Sequence, residues 1–190
     1  MIKRSLMAIA LSAAVLAPAL AQPGPPSSWG VDAAKSSVVA ISRQMGVPVE
    51  GVFKRFSAQV SFDPAKPAEG KANLEIDIAS FDLGDADFNQ ETTKKEWFDA
   101  AKFPKATFVT TAIKPAGAGK YEAAGKLTIK GKTLDVVAPV SFKTEGGQQV
   151  FEGTLPIKRL AFNIGEGEWK DTATVADEVQ IRFRIVTAKK

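Results

Sequence analysis

The chain contains neither histidine nor cysteine. Nucleophilic triads built on Ser-His-Asp or Cys-His are therefore excluded, along with the usual zinc, copper and haem ligation and disulfide cross-links. Any chemistry must rest on carboxylates, lysines, hydroxyls or the single tyrosine, Tyr121. One spacing invites a metal reading. Asp85, Asp87, Asn89 and Glu91, with Glu96 further on, imitate the ligand positions of a calcium loop. Gln90, however, stands where such a loop needs glycine for its sharp turn. Acids in that arrangement also suit the first turn of a helix, which is the reading adopted. Gly165-x-Gly167 lacks the strand and helix that a phosphate loop requires, and reads as a loop. No catalytic site and no metal or organic cofactor are expected.

The elements that carry these residues are strands. Phe56, Ala58, Val60 and Phe62 alternate with polar neighbours, as do Ala72, Leu74, Ile76 and Ile78. The same alternation runs through Leu127 and Ile129, then Leu134, Val136, Ala138, Val140 and Phe142, and again through Val179, Ile181, Phe183 and Ile185. Period-two patterns of this kind mark strands that bury one face and wet the other. Turn residues separate them: Lys130-Gly131, Glu145-Gly146-Gly147 and the stretch from Pro115 to Gly119. In two places the apolar parity switches, near Lys54 and near Arg159, which predicts a β-bulge at each.

Asp87 to Ala101 breaks the alternation and reads as a helix, with Asp87 as cap, Gln90 completing a capping box, and Glu91 paired with Lys95. Trp97 and Phe98 are expected to dock this helix on the sheet, and Lys102 and Lys105 to be solvated. A meander of about eight one-sided antiparallel strands buries its face by closing into a barrel. The expected fold is all-β, a single extended antiparallel barrel with a helical excursion. Whether its interior is filled or hollow stays open from the pattern, although Ala58, Ala72, Ala123, Gly125 and Ala138 give it many small inward residues.

The beginning of the chain reads as an export signal. Lys3 and Arg4 precede an apolar run from Leu6 to Leu16, and Ala19-Leu20-Ala21 offers a cleavage pattern that leaves Gln22 first. Residues 1–21 are expected to be removed, 22–28 to form a proline-rich tether, and 29–190 to form the domain, with the periplasm as its compartment. Loss of the leader lowers the formal charge from +4 to +2. The remaining bases are scattered among 21 acids, a pattern that excludes a nucleic-acid footprint.

Several segments in order carry a resemblance. Trp29-x-x-Asp32 is followed by Met45-Gly46-x-x-x-x-Gly51-x-Phe53-x-x-Phe56, Ile78-Ala79-Ser80-Phe81-Asp82-Leu83-Gly84, Trp97-Phe98-Asp99 and Phe103-Pro104-x-x-Thr107-Phe108. Tyr121-x-x-x-Gly125-x-Leu127-Thr128-Ile129-Lys130-Gly131-x-Thr133 completes the set. In this order they resemble the YceI-like family of periplasmic, lipocalin-like isoprenoid-binding proteins. The resemblance implies an apolar tunnel that holds a polyisoprenoid, a quinone-like molecule or another long amphiphilic lipid. For some relatives it implies partnership with a membrane b-type cytochrome, and it leaves room for a homodimer. Phe53, Phe56, Val60, Phe62, Leu74, Ile76, Ile78, Leu127, Ile129, Val136, Val140, Phe142 and Phe183 are the expected lipid-binding residues. Members often carry a histidine where this chain has Gln44, and an Arg-Asp-x-His-Leu-like stretch near positions 87–92. Both are absent here, so contacts made through them do not transfer.

Overall fold

The structure is a computed structural model and describes residues 29–189. The expected leader and tether lie outside the described residues. Eleven strands form one antiparallel sheet: β1 (Trp29–Val31), β2 (Ser37–Gln44), β3 (Val47–Phe53), β4 (Phe56–Ser61), β5 (Lys71–Asp77), β6 (Phe81–Asp82), β7 (Lys105–Gly117), β8 (Lys120–Ile129), β9 (Lys132–Glu145), β10 (Gln148–Lys158) and β11 (Glu178–Lys189).

The pairing reduces these eleven to eight staves. β1 and β2 lie end to end along one edge of β11, with Val31 opposite Thr187 and Ala40 opposite Ile181. β3 pairs with β2, and β4 pairs with β1 through Trp29 and Val60. The ring then runs through β5, β7, β8, β9, β10 and β11 back to β1. It is an antiparallel barrel of the expected kind.

The parity switch near Lys54 is not a bulge. The chain leaves β3 at Phe53 and resumes as β4 at Phe56 with a different partner. Lys54 and Arg55 make the corner, where the Lys54 amide donates to the Ser80 carbonyl (3.1 Å) and the Arg55 amide to Ser80 Oγ (2.9 Å). The switch near Arg159 is likewise a strand end, followed by a 3₁₀ turn at Arg159–Phe162. Bulges occur instead in β7, at Thr110/Ala112 and Pro115/Gly117.

Two-residue turns join the long strands. Lys130-Gly131 (φ 48° and 74°) and Gly146-Gly147 (φ 55° and 80°) take positive φ at both positions, the geometry that matches strand twist. β7 runs three residues into the Pro115–Gly119 stretch expected to be loop.

The helix is shorter than the sequence implies. α1 spans Ala86–Thr93, and its cap is Asp85, whose carboxylate accepts from the amides of Asp87 (2.9 Å) and Phe88 (3.1 Å). Glu91 pairs with Lys94 rather than Lys95. The helix ends because the next two aromatics are needed in different places. Phe98 turns inward against Phe53 and Phe81, at ring separations of 6.3 and 5.5 Å, while Trp97 stacks at 5.5 Å on Trp169. Pro104 then accepts the Ile78 amide (2.9 Å), and the segment from Leu83 to Pro104 fills the gap between β6 and β7.

Candidate functional site

The barrel is hollow. A cavity of about 420 Å³ runs inside it, within the range of small-molecule sites. Its walls are the inward residues of the staves, and almost all are apolar. Of the thirteen expected contacts, ten line it: Phe53, Val60, Phe62, Leu74, Ile76, Ile78, Leu127, Ile129, Val140 and Phe183. Three do not. Phe142 stands behind the wall, packed at 5.0 Å on Phe62 and 5.2 Å on Phe151. Val136 lies opposite Gly125, over which the ring of Phe108 sits. Phe56 begins β4 just past the corner, and contacts a shallow outer depression shared with Arg55 and Lys105. All three pack against the core cluster without reaching the lumen.

Glycines keep this lumen open. A Cβ on Gly125 would come within 2.6 Å of the Phe108 ring, and one on Gly153 within 2.5 Å of Phe183. Each aromatic therefore lies flat on a neighbouring backbone instead of crossing the cavity.

One end of the cavity is closed. Phe62 contacts Tyr121 at 5.0 Å and Phe151 at 5.6 Å, and with Phe142 these rings form a plug in edge-to-face and tilted geometry. Behind it sit Gln149 and Thr187, cross-strand partners that are both buried. The other end carries α1 and the loop after β10. Among the cavity-lining residues only Gln44 and Phe88 are exposed to solvent, and they mark the mouth.

Two buried cations hold the mouth's surroundings, and the sequence signalled neither role. Arg159 is 2 % exposed and spends all five N–H donors on carbonyls. Nε donates to Ala176 (3.0 Å), Nη1 to Ile164 and Gly165 (both 2.9 Å), and Nη2 to Trp169 (2.7 Å) and Val175 (2.6 Å). Burial pulls its ionisation down and the nearby Asp177 pulls it back. Lys130, in the turn expected after Ile129, is buried. Its ammonium donates to the carbonyls of Lys95 (2.7 Å) and Asn163 (2.6 Å) and to Glu166 (3.0 Å), tying the helical segment to the loop after β10.

The residues of the calcium-like spacing have divergent partners. Asp85 caps the helix, Asn89 accepts from the Leu83 amide (2.7 Å) and donates to Asp82 (2.7 Å), and Glu91 holds Lys94. This is the helix start anticipated, shifted by two residues. Gly165 lies in the loop that Arg159 organises, as expected, whereas Gly167 opens a 3₁₀ turn at Gly167–Lys170. Trp97 and Phe98 dock the segment, Lys102 sits over the Phe103 ring at 5.2 Å, and Lys105 pairs with Glu75 at 2.5 Å.

Residues 29–187 match the YceI-like domain, nearly everything the structure describes. The chain belongs to the YceI-like family. Among its relatives is a UPF0312 protein of Pseudomonas fluorescens, 36% identical over 154 residues, covering 74% of this chain and 76% of the relative. Among solved structures, BcnA of Burkholderia cenocepacia is 61% identical with a TM-score of 0.81, covering 82% of this chain and 98% of that one. The YCEI protein of Campylobacter jejuni, at 27% identity and TM-score 0.68, covers 75% and 86%. A polyisoprenoid binding domain from Saccharophagus degradans shares the fold at 18% identity and TM-score 0.67, covering 86% and 99%.

Proposed function

We propose that this YceI-like protein is a carrier that holds the apolar tail of a long amphiphilic lipid, an isoprenoid, a quinone-like molecule or a fatty derivative, inside its barrel. The enclosed apolar cavity, open at the Gln44/Phe88 mouth and stopped by the Phe62 plug, carries the reading. A protein of the same fold is described as a polyisoprenoid binding domain, and this lumen suits that class of ligand. Burying a tail stabilises the complex by about 0.8 kcal/mol per methylene, which favours long chains. The export signal read at residues 1–21 supports the periplasm as the compartment in which it works.

Mass spectrometry of organic extracts from protein purified out of its native periplasm tests this directly. A stoichiometric long-chain lipid is expected. Ala123→Phe, which fills the lumen from a small wall residue, should empty it, whereas Glu122→Lys on the outer face should not. Circular dichroism checks that both remain folded. Lipid retained equally by both folded variants would place the ligand elsewhere. A lipid-free protein that co-purifies with a membrane b-type cytochrome would instead favour an accessory role in a quinone-linked system.

A further inference from the structure

The turn between β2 and β3 breaks a local rule. Met45 and Gly46 occupy its two positions with φ of 49° and 81°, a geometry that favours Asn, Asp or Gly. A methionine there opposes the backbone preference, and its side chain is 77% exposed, so no packing compensates. Departures of this kind concentrate at functional positions. Val47 beside it is 63% exposed and Phe88 on α1 is 60% exposed. These are the three most exposed large apolar side chains among the described residues, and all stand at the open end of the barrel. Gln44 and Val49, which flank the turn, line the cavity, and so does Phe88 itself.

The size and charge of this rim select its occupant. Three side chains exposed to this degree offer roughly 400 Å² or less, judged by the area an aromatic or aliphatic side chain can bury. A stable second copy would need about 800 Å² on each partner. A bilayer surface requires no such area, because it moulds itself around a few apolar groups. Asp85 and Asp87 flank Phe88, Lys94 is held by Glu91, and Arg43 beside the turn donates to the Gly46 carbonyl (3.1 Å), so among the described residues of the rim one free cation faces two carboxylates and no positive patch is built to seek anionic lipid. The geometry points to a membrane-docking rim. Met45, Val47 and Phe88 enter the surface of a neutral bilayer and hold the mouth against the pool from which the lipid is drawn. This inference rests on the carrier reading and adds the surface through which it operates.

The test uses the purified protein with phosphatidylcholine vesicles, comparing wild type with Met45→Asn/Val47→Thr. Neither residue lines the cavity, and each replacement suits its backbone: Asn tolerates positive φ and Thr keeps β-branching. Affinity for vesicles in co-sedimentation is expected to fall at least about tenfold in the variant, the lower bound for two apolar side chains that are only partly buried in the bilayer surface. Binding should hardly change between about 0.05 and about 0.5 M salt, since screening has little to act on. Uptake of a fluorescent isoprenoid from detergent micelles should stay the same, while uptake from vesicles slows. Met45→Asn alone should raise the melting temperature while weakening vesicle binding, an opposition that a purely structural turn would not produce. Equal vesicle binding by both proteins would overturn the proposal. So would a wild-type dimer in sedimentation that the double variant dissolves, because a second copy would then be the occupant. Wild type that docks on vesicles but takes up isoprenoid from neither source sinks the carrier reading and leaves the docking measurement standing. Uptake from micelles without vesicle binding sinks the rim alone.

Discussion

Phe108 and Gly125 show how single residues keep the lumen usable. A methyl on Gly125 would meet both the ring and the Val109 carbonyl oxygen at 2.6 Å, and the oxygen belongs to a paired strand that cannot easily retreat. Gly125→Ala is therefore expected to destabilise the fold by about 1–3 kcal/mol, the usual range for overpacking. It should also drive the Phe108 ring across the cavity, read as a lower urea midpoint together with lower lipid occupancy. Arg159 makes the complementary case, in which a charge is spent on architecture. Arg159→Lys keeps the charge but supplies three donors where five are used, leaving at least two carbonyls short. Buried groups in that condition cost about 1–3 kcal/mol each, so the expected loss exceeds about 2 kcal/mol. Limited proteolysis should then cut first in the loop between Ile164 and Val175. Ten of the thirteen expected residues line the cavity, but nothing in the alternation distinguished Arg159 or Lys130 from solvated neighbours. Their roles arise from carbonyls that come together only when distant loops meet, and no local pattern records that.

At the scale of elements, the strands were legible because each buries one face, and the turns because positive φ demands particular residues. β2 was harder to read. Val38, Val39, Ala40 and Ile41 form an unbroken apolar run, and Val39 is buried on the outer face opposite Val52 and Arg182, so the period of two disappears. The parity switches at Lys54 and Arg159 were visible, but a switch records only that the inward face changes number. A bulge and a broken stave leave the same trace. The helical excursion was found but overextended, since Trp97 and Phe98 have helix-compatible spacing and are claimed by separate tertiary contacts. Asp82 secures this region. Lys54 above all, then Asn89 and the Gly84 amide, hold its carboxyl well below the ordinary carboxylate range. A depressed value means that the ionised form is favoured by folding. The contribution is complete above the unfolded value near 3.8 and declines as pH falls below it towards the folded one. Hydrogen exchange should show the β6–α1 segment loosening as pH drops below about 4 in the wild type. Asp82→Asn should show that loosening already at pH 7, and an identical exchange profile in the two proteins would remove Asp82 from the role.

For the whole molecule, the barrel is asymmetric along its axis. One end is sealed by aromatic rings contributed before β5 and from β8, β9 and β10; the other is built from excursions and carries the mouth. A hollow core of about 420 Å³ lacks the dispersion contacts that a packed interior would supply, so the empty protein gives up stability that the proposed tail would restore on binding. A ligand present at a hundred times its dissociation constant adds about 2.7 kcal/mol to the folded state. For a domain of this size each kcal/mol moves the melting temperature by about 2–4 °C, which predicts a fall of roughly 5–10 °C on complete delipidation. Calorimetry before and after organic extraction measures it, and re-addition of lipid must restore the original value. The plug sharpens the same experiment. Phe62→Leu removes the ring that both lines the cavity and contacts the other three, deepening the lumen towards Gln149 and Thr187. Its empty form should melt lower than the empty wild type, because the cavity is larger. Its recovery should be greater with a longer chain than with the chain that best restores wild type. A variant that recovers equally with both lengths would show that the tail stops short of the plug.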